Sequence, residues 1–171
     1  INYYNNEGHD FSQYDNDNDG YIDCLMVYWS GPDNGWANFW WGQKTYFNDP
    51  TYSIDGKKIG GYTWQWESNP VGSPFWADTA IHEVGHILGL PDYYDYNPDI
   101  GPNGGAGGLD IMDGMWGDHN GFSKWMLDWI SPTVVSNGTQ SITLNPSGIS
   151  NDAVLMMPDT TINDLFSEFF L

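Results

Sequence analysis

Apolar and polar residues follow one another in patterns that predict a few strands and two helices. The apolar run over 21–29 predicts a buried central strand, and partial alternation over 59–67 predicts a second strand. Apolar residues recur at intervals of three and four over 80–88, which predicts a helix with Asp78 as its N-cap. A second helix is predicted over 122–130. Strands and helices therefore both contribute to the expected structure.

The pattern changes after Pro132, where short apolar segments separated by Asn, Gly and Pro predict strands. These predicted strands lie at 134–135, 141–144 and 153–157. We therefore expect a first domain over 1–132 and a C-terminal β-rich extension over 133–171 that is cut short at its end. Because the chain opens on Ile1, any signal or pro-segment is expected upstream of it, and further domains are expected downstream.

The composition predicts a folded chain whose partners are neither nucleic acids nor membranes. Hydrophobic residues make up 40% of the 171 residues and aromatic residues 17%, whereas disordered chains are poor in both. The 23 acidic and 4 basic side chains give a net charge of −19, which repels nucleic acid and anionic membranes and attracts cations. No apolar run reaches the ~20 residues that are needed to cross a bilayer.

A single cysteine, Cys24, limits the chemistry that sulfur can supply. One cysteine excludes an intramolecular disulfide, a cysteine-based zinc site and a CxxC redox pair. Because it lies in the apolar run over 21–29, we expect it to be a small buried hydrophobic residue.

The predicted helix over 80–88 carries the residues of a zinc site. His82 and His86 are four residues apart, so their imidazoles project from one face of a helix and can share a metal ion. Glu83 follows the first histidine, where its carboxylate can contact a metal-bound water and act as a general base. This HExxH arrangement is typical of zinc peptidases.

The residues after the helix extend the motif to HExxHxxGxxD. Gly89 allows the chain to leave the helix and fold back, so that Asp92 can reach the same ion as a third ligand. Two histidines and one carboxylate leave a fourth tetrahedral position for water, as a catalytic zinc requires. Asp95 is the alternative third ligand, with poorer spacing.

The string HEVGHILGLPDYYD over 82–95 resembles the M6 family of secreted bacterial metallopeptidases, the immune inhibitor A group, and the wider metzincin pattern. Three further segments agree with it, at 15–23, 109–114 and 119–130. The resemblance covers roughly 9–132. It implies an α/β, zincin-like fold with a twisted, mostly parallel sheet, an active-site helix, and a lower lobe with a second helix. It also implies a secreted endopeptidase that cleaves extracellular proteins.

The same resemblance implies further site residues. In metzincins a methionine forms a turn beneath the zinc, for which Met112 is the best match and Met115 the runner-up. His119 is a candidate donor that faces the substrate or the transition state, or else a structural hydrogen-bonding residue. By analogy with zincins, the strand around 62–66 is the candidate edge along which a peptide substrate binds.

An acidic loop near the N-terminus suggests a second metal. Asp15, Asp17 and Asp19 alternate before Gly20, and Asp23 takes the ninth position of an EF-hand-like loop. This arrangement gathers hard oxygens that suit a structural Ca²⁺. The twelfth position lacks the bidentate Glu of an EF-hand, so the loop is either a shorter calcium loop or a solvated acidic turn.

Two classes of function are consistent with these residues. The first is a zinc endopeptidase whose partners are protein or peptide substrates. The second is a non-catalytic module that binds carbohydrate or depends on calcium, for which the many aromatic residues and the acidic loop would be suited. The intact set of His82, Glu83, His86 and Asp92 favours the enzyme, because a binding module has no need of a base beside a metal.

Overall fold

The computed structural model describes residues 1–68, 74, 77–100, 104–114, 117–147 and 149–158. The chain divides into two compact units, Ile1–Trp116 and Gly117–Leu171. This division precedes the second predicted helix, whereas the sequence pattern predicts a domain boundary after residue 132.

Helices and strands are mixed within the chain, as predicted. The first unit contains α1 Asn2–Asn6, a 3-10 turn Phe11–Tyr14, β1 Tyr21–Ile22, β2 Leu25–Pro32, a 3-10 turn Trp36–Asn38, β3 Gln43–Tyr46, β4 Lys58–Ile59, β5 Gly61–Ser68, α2 Ala77–Ile87 and α3 Ile111–Gly114. The second unit contains α4 Gly121–Met126, β6 Thr133–Val135 and β7 Val154–Met156. None of the helices in the described ranges is both long enough and apolar enough to span a bilayer.

The strands of the first unit form two small sheets. β5 lies between β2, which runs parallel to it, and β3, which runs antiparallel. β1 and β4 form a separate parallel pair that contributes Ile22 and Ile59 to a small core with Phe11 and Ile54. The predicted strand over 21–29 is thus divided between the two sheets.

The helix α2 packs over β5 and β3 and also contacts α3. Its buried residues are Ala80, His82, Glu83 and Gly85. The helix begins at Ala77, so Asp78 lies in the first turn and not at the N-cap as predicted. Its negative charge interacts favourably there with the positive end of the helix dipole. The helix ends at Ile87, and two residues later Gly89 has a φ of +100°, which is accessible to glycine and lets the chain reverse.

The prediction that β2 is a buried central strand is wrong. Val27 and Trp29 are exposed on one face of the sheet and Met26 and Tyr28 on the other. The strand lies at the edge of its sheet, and α2 covers β5 and β3 instead. Cys24, expected to be buried in this run, is also exposed.

The second unit contains part of the predicted second helix, since α4 ends at Met126 and not at residue 130, and part of the predicted β-rich extension. Asn120 caps α4, because its side chain accepts a hydrogen bond from Ser123 N. β6 and β7 form strands near two of the predicted apolar segments and pair in parallel. The segment over 141–144 forms no strand, and Ile142 and Leu144 remain exposed there.

Candidate metal centre

Two imidazoles project from the same face of α2, as their spacing predicts. The rings of His82 and His86 lie 4.8 Å apart between centroids and are nearly perpendicular. His82 is almost fully buried and His86 is partly exposed. Solvent can therefore reach the two imidazoles from the side of His86.

The chain after Gly89 brings Asp92 back to both histidines. Asp92 Oδ1 lies 3.0 Å from His82 Nε2 and 3.2 Å from His86 Nε2. The three residues can offer ligand atoms that lie within 4.8 Å of one another. The predicted alternative, Asp95, does not join this group among the described residues, and its Oδ1 accepts a hydrogen bond from Asn97 N at 2.9 Å.

Each histidine is oriented by a main-chain carbonyl. His82 Nδ1 lies 2.8 Å from Ile111 O, and His86 Nδ1 lies 2.7 Å from Leu90 O. Because a carbonyl oxygen only accepts hydrogen bonds, the proton of the neutral ring is on Nδ1 and the lone pair is on Nε2. Carbonyls that fix the tautomer in this way are typical of metal-binding histidines.

The converging atoms fit a cation. In the neutral tautomers, two Nε2 lone pairs face Asp92 Oδ1, which is buried and has no hydrogen-bond partner within the described part of the chain. Three acceptors at this distance repel one another unless a positive ion lies between them. Two imidazole nitrogens and one carboxylate oxygen form a donor set that suits zinc.

The other oxygen of Asp92 is held by tyrosine. The Tyr96 hydroxyl donates a hydrogen bond to Asp92 Oδ2, and Tyr94 contributes to stabilising the charge of the same carboxylate. Burial alone would raise the pKa of Asp92, but both tyrosines and the nearby histidines outweigh it and lower the pKa. Neither tyrosine is among the predicted site residues, although both lie within four residues of Asp92.

Glu83 is buried beside this group without joining it. Its Oε2 accepts a hydrogen bond of 2.6 Å from the main-chain N–H of Lys44 in β3. Burial raises the pKa of Glu83, and the Lys44 hydrogen bond and the two histidines only partly offset that effect. A carboxylate in this environment is a stronger base than an exposed glutamate.

Met112 is fully buried in α3, next to the carbonyl that orients His82. Its own carbonyl accepts a hydrogen bond of 2.9 Å from Tyr93 N, directly after Asp92. The turn around Met112 thus connects to both sides of the metal centre through the main chain. The runner-up, Met115, lies outside the described residues.

A glycine-rich loop packs against the segment that carries Asp92. Gly105 has a φ of +63°, and a β-carbon at this position would lie 2.3 Å from Tyr93 O and 2.8 Å from Tyr94 Cα. The next residue, Ala106, donates its N–H to Tyr93 O at 2.9 Å. Only glycine allows this close approach of the two main chains.

The acidic loop brings three of its four predicted ligands together. Asp15, Asp17 and Asp19 can offer carboxylate oxygens within 4.8 Å of one another. Asp23 does not join them among the described residues, because its Oδ2 accepts hydrogen bonds from the main chain and side chain of Asn16. Lys57 Nζ lies 2.6 Å from Asp15 Oδ2, and this contact is the main cause of a lowered pKa at Asp15.

Two other predicted site features have different outcomes. His119 is buried in the second unit, where its ring packs edge to face on Trp129 at 5.6 Å between centroids. Its role as a substrate-facing donor stays a prediction.

The prediction that the strand over 62–66 is the edge that binds substrate is wrong. β5 is the central strand of its sheet, and the antiparallel strand β3 lies at the edge.

The chain matches no protein-family model, and no curated protein or solved structure matches it at a significant level. The resemblance to the M6 family is therefore one of sequence motifs alone.

Proposed function

We propose that this chain is a secreted zinc endopeptidase of the metzincin type, related to the M6 family, with a zincin-like fold. The observation that carries the proposal is the convergence of His82 Nε2, His86 Nε2 and Asp92 Oδ1 beside the buried carboxylate of Glu83. This set combines three ligands for a metal with a separate base. Hydrolysis of a peptide by a metal-activated water uses both, because the metal acidifies the water and the base takes its proton as it attacks the amide carbonyl.

The proposed chemistry assigns a distinct role to each residue. The two histidines and Asp92 would hold zinc, which supplies Lewis acidity and lowers the pKa of water from 15.7 to about 7. Glu83 accepts the proton from the attacking water and later delivers it to the leaving amine. Because Lys44 N–H engages Oε2, Oε1 is the oxygen that receives the proton. The raised pKa of Glu83 favours this proton transfer.

The position of β3 at the edge of its sheet is consistent with a peptide substrate. Among the described strands, β3 has only β5 as a neighbour, so its other edge can pair with an extended chain. The strand also carries the N–H that holds Glu83. A peptide paired with β3 would therefore lie against the strand that positions the base.

The decisive experiment compares Glu83→Gln with His82→Ala. We expect Glu83→Gln to retain one zinc per chain while casein hydrolysis falls by about 10²–10⁴-fold, since only the base is lost. His82→Ala should lose both zinc and activity. Zinc is quantified by elemental analysis in each protein. A wild-type protein that binds no zinc, or a Glu83→Gln variant with unchanged activity, would contradict the proposal.

We also propose a structural Ca²⁺ at Asp15, Asp17 and Asp19. The proposal is supported by three carboxylates whose mutual repulsion a cation would relieve. Lys57 already neutralises part of this charge through Asp15, so the effect of calcium is expected to be modest. The melting temperature should rise with added Ca²⁺ and fall with EGTA. An unchanged melting temperature in both conditions would exclude the site.

The second candidate function is a carbohydrate-binding module, and an aromatic groove is the observation that favours it. The groove has a volume of about 560 Å³ and opens on one face of the sheet. Its aromatic lining includes Trp29, Trp36, Phe39, Trp40 and Trp64. Titration with soluble oligosaccharides, followed by tryptophan fluorescence, tests this candidate. Saturable binding by a protein without peptidase activity would favour it over the enzyme.

A further inference from the structure

We propose that Tyr96, assisted by Tyr94, holds Asp92 Oδ2 and thereby makes Asp92 bind the metal through Oδ1 alone. The two tyrosines are positioning residues, because they act through the carboxylate of Asp92. The inference rests on the proposed zinc centre and assigns a role to side chains outside the HExxHxxGxxD motif.

The two oxygens of Asp92 have different surroundings. Oδ1 faces both Nε2 atoms at 3.0 and 3.2 Å, while Oδ2 accepts the hydrogen bond of the Tyr96 hydroxyl. The rings of Tyr94 and Tyr96 lie 4.8 Å apart between centroids, and both tyrosines stabilise the charge of the same carboxylate. A hydrogen bond that holds one carboxylate oxygen restricts rotation of the group and occupies one lone pair of that oxygen, which favours binding of a metal through the other oxygen.

This orientation decides how many ligand positions remain for substrate. An unsupported carboxylate can rotate and bind a metal through both oxygens, which would occupy a further position. A catalytic zinc needs three protein ligands and an open position. By holding Oδ2, the tyrosines keep that position open.

A role in stabilising the fold accounts poorly for Tyr96. Its side chain is 72% exposed, so it buries little apolar surface. Replacement by Phe removes only the hydroxyl and retains the ring. The substitution should therefore leave the metal-free protein as stable as the wild type, while it changes the metal centre.

The test uses Tyr96→Phe, Tyr94→Phe and the double variant of the full chain. Tyr52→Phe is the matched control, because it removes a tyrosine hydroxyl that donates to Asn2 Oδ1 away from the metal centre. Zinc affinity is measured by competition with a chelator. We expect Tyr96→Phe to bind zinc about 10–100-fold more weakly, as is usual when a group that supports a ligand is lost. Tyr94→Phe should have a smaller effect and the double variant the largest.

Cobalt substitution provides a second measurement that a structural role would not change. Four-coordinate Co²⁺ absorbs visible light more strongly than five-coordinate Co²⁺. We therefore expect weaker absorption per bound cobalt in Tyr96→Phe than in the wild type and in Tyr52→Phe. A double variant with wild-type zinc affinity and a wild-type cobalt spectrum would overturn the inference while leaving the zinc centre intact. A wild-type protein that binds neither metal would overturn the proposed function and this role with it.

Discussion

The glycine-rich loop allows a sharp test of how the metal centre is built. Gly105 and Gly107 have nearly the same left-handed backbone, with φ of +63° and +66°. A β-carbon at Gly105 would collide with the main chain of Tyr93 and Tyr94, whereas one at Gly107 would meet nothing within 4 Å. Gly105→Ala and Gly107→Ala therefore share the backbone strain and differ in the collision.

The expected losses of stability follow from these two contributions. Alanine in a left-handed conformation costs about 1–2 kcal/mol, and this cost applies to both variants. Gly105→Ala must also displace main chain, and overpacking of this kind typically costs a further ~1–3 kcal/mol. The displaced segment directly follows Asp92, so Gly105→Ala should also weaken zinc binding. Gly107→Ala should bind zinc as the wild type does.

The loss of stability and the zinc affinity can be measured on the same samples. Thermal unfolding in the presence of EDTA reports the loss of stability, at about 2–4 °C per kcal/mol for a chain of this size. Competition with a chelator reports the zinc affinity. Equal destabilisation by the two substitutions, or equal zinc affinity, would refute the reasoning that the close approach at Gly105 positions Asp92.

Three further predictions concern stability. Met112 is fully buried, so Met112→Ala should cost about 2–5 kcal/mol in the free energy of unfolding. Met112→Leu should cost less than about 1.5 kcal/mol, and similar losses for both would contradict tight packing at this turn. Lys57 lowers the pKa of Asp15 in the folded protein, so its contribution is present at neutral pH and is lost as the pH falls through that lowered pKa. Asp15→Asn should therefore lower the melting temperature at pH 7, and the difference from the wild type should shrink below about pH 4; a gap that is constant with pH would exclude the ion pair as its cause. Removal of zinc by EDTA should lower the melting temperature by mass action, and His86→Ala should show no such response.

Local periodicity was sufficient to predict the helix and the convergence of three candidate ligands. The spacing of His82 and His86 depends on helical geometry alone, and Gly89 marks the reversal that brings Asp92 to them. These features involve residues close in sequence, whose relative positions are determined by backbone conformation. Sequence reasoning is most informative at this range.

The position of each strand within its sheet could not be predicted in the same way. An apolar run predicts a strand but does not say which strands lie beside it, because pairing is decided by residues far apart in the chain. For this reason β2 was expected in the centre and Cys24 in the core, whereas both are exposed. The central position belongs to β5, whose alternation is only partial.

The hydrogen bond from Lys44 to Glu83 has a consequence for how this protein can vary. The donor is a main-chain N–H, which every amino acid except proline supplies. The side chain at position 44 can therefore change freely without removing the support of the base. The same holds for the carbonyls of Ile111 and Leu90 that orient the two histidines. Part of the architecture of this centre is thus preserved by the path of the backbone, and relatives could share it while differing in the residues that provide it.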